Sequence, residues 1–147
     1  MSIPFHPALV HFPVAFLMLA AGLYVYHAWN NDAWSQKTAW FLHIAGTIGL
    51  LLAIISGRSA KASITFNDRL VDLMDWHETL GYSSLVFSVV LLGWFYVRGN
   101  RQEKTEKWIF ALVFLLFVGL ALWGSHFGGT MVYEEGAGVL TSNFSWK

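Results

Sequence analysis

The hydrophobic pattern divides the chain into four long apolar segments separated by short polar ones. Lys, Arg, Asp and Glu are absent from 7–31, 38–57, 79–97 and 108–133. Each of these stretches reaches the roughly 20 residues that an α-helix needs to cross the hydrocarbon core of a bilayer. The pattern therefore predicts an all-α integral membrane protein, built as a single up-down bundle of four transmembrane helices.

The spans are predicted at about 9–29, 38–57, 77–97 and 108–126, with an extramembrane tail over about 127–147. Paired apolar residues in the long 58–76 loop indicate a short amphipathic helix on the membrane surface. We expect Gly128-Gly129 to end the fourth helix. Pro13 would kink the first helix if that helix began at Pro7.

Composition narrows the possible functions. Of the 147 residues, 56% are hydrophobic and only 12% are charged, against about 25% charged in a typical globular domain. The chain has no Cys, which excludes disulfides, thiolate metal sites, iron–sulfur clusters and covalently attached c-type haem on this chain. Its net charge is zero, so nothing favours nucleic acid, and the expected surroundings are membrane lipid.

The positive charges predict an orientation. One side of the bundle carries Lys37 and the tight basic turn between spans three and four, and the other side carries Arg58, Lys61, Arg69 and Lys147. Short loops rich in Lys and Arg stay in the cytoplasm. We therefore expect both termini and the 58–76 loop to lie outside the cytoplasm.

Four histidines fall at span ends on that same outer side. His6 and His11 open span one, His77 opens span three and His126 closes span four. Ionisable groups in membrane spans are rare and usually functional. Neutral imidazole ligates haem iron, so we expect two of His11, His77 and His126 to ligate one b-type haem. His6 and the third histidine would then bond a haem propionate or a partner protein.

Small and aromatic residues near these histidines suit a porphyrin. His77 shares a helical stripe with Gly81, and Gly128-Gly129 follows His126. Arg58 or Arg69 would pair with the propionates. Flat apolar walls would come from nearby aromatic residues: Trp76, Tyr82, Trp123 and Phe127. The same residues also suit an ordinary interfacial belt.

The two remaining histidines lie toward the inner face. His27 is about 160° around the helix from His11, which favours a structural role. His43 lies about 7 Å inside its predicted membrane boundary and needs a partner there. A second, inner haem held by His27 and His43 is the less favoured alternative.

Three motifs resemble one bacterial family. They are His6-Pro7-x-x-Val10-His11-Phe12-Pro13, then His77-x-x-Leu80-Gly81, then His126-x-Gly128-Gly129-x-x-Val132-Tyr133 followed by Glu-Gly-x-Gly-Val. Together they are similar to the four-span membrane domain catalogued as domain of unknown function 2231.

Members of that family occur fused to c-type cytochrome or Rieske-type domains. The resemblance therefore implies a b-type cytochrome-like subunit in the bacterial inner membrane. Its separate partner would be a c-type cytochrome, a Rieske-type protein or a larger redox complex, with a quinol as a further candidate. One alternative is a non-haem metal site in which Asp75 or Glu78 joins the histidines. The other is a cofactor-free accessory subunit of a respiratory complex. No substrate or chemical step is identified, so a stand-alone enzyme is not favoured.

Overall fold

Four long helices account for almost all of the chain that the structure describes. The structure is a computed structural model, and it describes residues 5–62, 64 and 67–137. The helices are α1 (Phe5–Asn30), α2 (Ala33–Lys61), α3 (Asp68–Arg98) and α4 (Lys104–Tyr133), with a 3₁₀ turn at Gly99–Arg101. All four are long and apolar enough to cross a membrane, which confirms the predicted multi-pass architecture.

The helices follow one another around the bundle in chain order. α1 packs on α2 and α4, and α3 packs on the same two helices, so α1 and α3 lie on one diagonal. We call the end with the start of α1, the α2–α3 connection and the end of α4 the terminal end. The opposite end, which holds the 3₁₀ turn, is the basic-turn end.

Side-chain caps fix two of the helix starts. The Oδ2 atom of Asp32 accepts a 2.7 Å hydrogen bond from the N–H of Ser35 at the start of α2, and this bond lowers the pKa of the Asp32 carboxyl. Asn67 Oδ1 accepts from the N–H of Leu70 at 2.8 Å at the start of α3. Because α3 begins at Asp68 and continues unbroken, the predicted separate surface helix is wrong: its residues form the first turns of α3.

The fourth helix is longer than predicted. Gly128-Gly129 does not end it, since α4 continues to Tyr133 and the N–H of Glu134 still bonds the carbonyl of Thr130 at 2.9 Å. Glycine is tolerated inside membrane helices, where it allows close packing. Residues 134–137 turn away from the helix, and the rest of the predicted tail lies outside the described residues.

Two glycines set the close approach of α1 and α2. A methyl group added at Gly46 would lie 2.7 Å from Leu17 Cγ, and one at Gly49 would lie 3.0 Å from Pro13 Cβ. Pro13 is therefore an interior residue of α1 that fills the space over Gly49. Pro13 therefore lies in the interface with α2. Because α1 begins at Phe5, Pro13 also lies beyond the first helical turn.

Gly46→Ala is expected to destabilise the folded bundle by about 1–3 kcal/mol, because overpacking would force the buried Leu17 side chain off its position. The measurement is unfolding of the purified protein in mixed micelles. Gly22→Ala is the matched control: Gly22 lies in α1 with no atom within 4 Å of an added methyl. An equal loss in both variants would contradict the packing role of Gly46.

Candidate functional site

His6 and His77 both lie at the terminal end of the bundle. They lie on the diagonal pair α1 and α3, both are half-buried, and they are close enough for their charges to interact. Each ring rests against a glycine of a neighbouring helix: a methyl at Gly57 would lie 3.0 Å from His6 Cε1, and one at Gly128 would lie 2.9 Å from His77 Cε1. The two glycines therefore form notches that accommodate the two imidazoles.

The tautomer of His77 follows from its hydrogen bond. Its Nδ1 lies 2.9 Å from the carbonyl oxygen of Gly124. A carbonyl can only accept, so Nδ1 carries the proton and donates. In the neutral ring the lone pair then lies on Nε2, which has no hydrogen-bond partner among the described residues.

His6 reaches the same state through Ser56. The Ser56 hydroxyl donates its single proton to the carbonyl of Ala53 at 3.0 Å, so its oxygen accepts from His6 Nδ1 at 2.9 Å. The lone pair of His6 is thereby also placed on Nε2. Both rings are held at Nδ1 and free at Nε2, which is how proteins orient imidazoles that bind metal.

His11 and His126 do not join this pair in a larger group. His11 is exposed, and its Nδ1 donates to the carbonyl of Pro7 on its own helix at 2.7 Å. His126 is exposed beside a surface cavity of about 250 Å³ that Gly129 and Glu134 help to line. Across the described residues, no group of three or more His, Asp or Glu side chains is arranged to hold a metal ion.

The other predicted site residues have varied surroundings. Gly81 has open space beside it, and so does Gly129. Arg69 is paired with Glu134 at 2.9 Å and with Glu135 at 3.0 Å, which occupies one of the two arginines predicted to bind propionates.

Neighbouring groups at the terminal end are paired in similar ways. Glu78, a predicted metal ligand in the non-haem alternative, accepts from Lys61 at 2.9 Å. Trp76 stacks on Phe127 with ring centroids 6.2 Å apart, and both remain partly exposed.

His43 lies deep in the bundle with no exposed surface. Its Nε2 lies 3.2 Å from Ser88 Oγ, its Nδ1 lies 3.4 Å from Tyr24 Oη, and its ring meets Phe114 edge-on at 4.7 Å. Ser88 Oγ in turn lies 2.7 Å from Thr47 Oγ1. A residue as deep in the membrane as His43 was expected to need a polar partner. Its partners are Ser88 and Tyr24 rather than His27.

His27 is buried at the turn between α1 and α2. Its Nδ1 donates to the carbonyl of Asp32 at 2.7 Å, and its Nε2 is buried without a partner among the described residues. This bond holds the turn that Asp32 also caps, so the ring has a local structural role.

From the sequence, His11 was predicted as a possible iron ligand and His6 as a residue that bonds a propionate or a partner. Ser56 and Ser88 were not predicted as site residues. The spacing of His6 from Pro13 and Leu17 puts all three on one face of α1, but the spacing alone does not show that this face is the inner one. Ser56 and Ser88 are marked in the sequence only as hydroxyls within apolar spans.

Comparison with known proteins identifies a family for this chain. The model of a family described as "Predicted membrane protein (DUF2231)" matches residues 2–141. No curated protein and no solved structure matches the chain.

Proposed function

The chain belongs to the DUF2231 family of predicted membrane proteins, and from that premise we propose that it is a membrane electron-transfer subunit that binds one b-type haem through His6 and His77. The observation that carries the proposal is the matched state of the two rings. Each is fixed at Nδ1 by a partner on a neighbouring helix, and each leaves its Nε2 lone pair without a hydrogen-bond partner among the described residues.

The donor set suits haem iron better than a metal ion bound by the protein alone. Haem iron takes four nitrogens from the porphyrin and needs one or two axial imidazoles. Zinc sites usually take three or four protein ligands, and no such group occurs among the described residues. Two imidazoles without a third ligand therefore support haem over the non-haem alternative.

The neighbouring residues have supporting roles in this proposal. The Ser56 hydroxyl and the Gly124 carbonyl hold the ring orientations, and Gly57 and Gly128 leave room for the rings beside the helix backbones. Bound haem would supply one-electron oxidation and reduction. The sequence predicted two of His11, His77 and His126 as the iron ligands. The pair proposed here is His6 and His77.

The terminal end is the side from which electrons would be exchanged with a soluble partner. We propose that this end faces the periplasm of a bacterial inner membrane, with the basic turn in the cytoplasm. The partner would be a c-type cytochrome, a Rieske-type protein or a larger redox complex, and a quinol is a candidate electron donor within the membrane.

The test is an optical spectrum of the detergent-purified protein, expressed with haem supplied, in its oxidised and dithionite-reduced states. We expect a Soret band with sharp reduced α and β bands, and a pyridine haemochrome assay giving about one haem per chain. A folded, colourless protein would overturn the proposal. Metal analysis of that sample would then separate a non-haem site from a cofactor-free accessory subunit.

A further inference from the structure

Ser84 is a buried hydroxyl in the interior of a membrane bundle. Its side chain is 2% exposed, and its Oγ makes no hydrogen bond to any residue that the structure describes. Hydroxyls in membrane helices usually bond the carbonyl four residues earlier, as those of Thr47 and Ser125 do here at 2.8 and 3.0 Å. An unpaired buried hydroxyl is costly, and an ordered water is a common explanation for one.

Ser84 belongs to a stripe on α3 that runs into the bundle from the terminal end. His77, Gly81, Ser84 and Ser88 recur at intervals of four, three and four residues, so they lie on one helix face. The stripe has only small or polar side chains over about 16 Å. A methyl group added at Gly81 would meet open space.

The polar part of this α3 stripe ends at Ser88, which contacts His43 of α2. Ser88 contacts both His43 Nε2 and Thr47 Oγ1, and the Thr47 hydroxyl also bonds the carbonyl of His43. Because Thr47 donates its single proton to the His43 carbonyl, Ser88 donates to Thr47 Oγ1 and accepts from His43 Nε2, which leaves His43 Nδ1 to accept from Tyr24 Oη. Tyr24 is the only other titratable group among the contacts that the structure gives the His43 ring.

Beyond His43 the interior closes. An aromatic cluster occupies the half of the bundle toward the basic-turn end, with ring centroids of contacting pairs 4.8–6.1 Å apart. Its members are Tyr24, Trp40, Phe95, Phe110 and Phe114. Leu91, the next member of the α3 stripe, is 2% exposed and packs within this cluster. On α3, small and polar side chains therefore lead toward His43 from the terminal end, and apolar ones lie beyond it.

We propose that water enters the bundle from the terminal end, is bound at Ser84, and gives His43 proton exchange with that side of the membrane alone. In the exchange, His43 Nε2 passes its proton to Ser88 Oγ while the Ser88 hydroxyl passes its own proton to the water, and the reverse transfer returns a proton from the water to Nε2, so protons and charge balance with no other reactant. The water path requires no haem, and its test is independent of the electron-transfer proposal.

Because the chain has no native Cys, single cysteines report water access cleanly. Ser84→Cys and Gly81→Cys are placed in proteoliposomes, treated with silver ion from the aqueous phase, and assayed for unreacted thiol after denaturation. Leu91→Cys is the control at the closed end of the same stripe, and Val86→Cys, which is 62% exposed at a similar depth, is the control for the outer surface.

We expect Ser84→Cys and Gly81→Cys to react at least tenfold faster than Leu91→Cys and Val86→Cys, from the terminal side only. Rates for both path variants within twofold of the Leu91→Cys rate would overturn the proposal. Gly81→Cys has open space for its side chain, so it keeps the test decisive if Ser84→Cys misfolds.

A second measurement uses the wild-type protein, labelled with ¹⁵N-histidine in nanodiscs. The His43 ring N–H is expected to exchange with D₂O at least tenfold faster than in Ser84→Leu, whose side chain would fill the path. Equal exchange in the two proteins would show that Ser84 is not on the route to His43.

Discussion

His77→Ala is expected to abolish the low-spin haem bands of the purified protein while its helix content stays unchanged. Nε2 of His77 carries a lone pair without a hydrogen-bond partner among the described residues, and the ring is only half-buried, so its removal costs little packing. His6→Ala is expected to have the same effect. For each variant, the haem content per chain and the reduced-minus-oxidised spectrum are measured. We expect the haem content to fall at least tenfold.

The controls are His11→Ala and His126→Ala, which are expected to keep one haem per chain. Both side chains are exposed, and the His11 ring bonds only its own helix. Loss of haem in either control, with haem retained in His6→Ala, would restore the ligand set predicted from sequence and contradict the one inferred from the structure.

Two further variants separate ligation from a general effect on the fold. His77→Met is expected to retain haem with a raised reduction potential, since a Met/His axial pair raises the potential relative to a bis-His pair. Ser56→Ala keeps the ligand but removes the partner of His6 Nδ1, and loss of such a partner typically costs about 10–100-fold in metal affinity. A Ser56→Ala protein with unchanged haem affinity would mean that the bond to Ser56 does not hold His6 for ligation.

The number and order of the helices could be predicted from the sequence because they depend on composition. Charge-free stretches long enough to cross a bilayer are unambiguous, and short loops leave an up-down arrangement. Helix ends were less certain, since a glycine pair that would stop a helix in water is compatible with one in a membrane. Gly128 lies inside α4, where its missing side chain makes room for His77.

The facing of each histidine could not be predicted, because helices that are apolar on every side carry no signal for their inward face. His6 and His11 are five residues apart, about 140° around the helix, so only one of them can point into the bundle. Leu17 and Pro13 pack against Gly46 and Gly49, so the face of α1 that carries His6 points into the bundle. This orientation depends on α2 and cannot be read from the sequence of α1 alone.

His43→Ala is expected to destabilise the bundle by about 3 kcal/mol. The ring has no exposed surface and packs against Phe114, Trp40 and Tyr24, so its removal leaves a cavity that the surrounding aromatic rings cannot fill. Hydrogen bonds between membrane helices contribute only about 0.6 kcal/mol each on average, so packing should dominate the loss.

His43→Phe separates the two contributions. A phenyl ring fills most of the same space, while Ser88 keeps its contact with Thr47 and only the bonds to the imidazole are lost. We therefore expect a cost of about 1 kcal/mol, and His11→Ala, which removes an exposed ring, should fall near zero. Unfolding in mixed micelles gives all three values on one scale. If His43→Phe cost as much as His43→Ala, hydrogen bonding to Ser88 and Tyr24 would be the main contribution of His43, and packing a minor one.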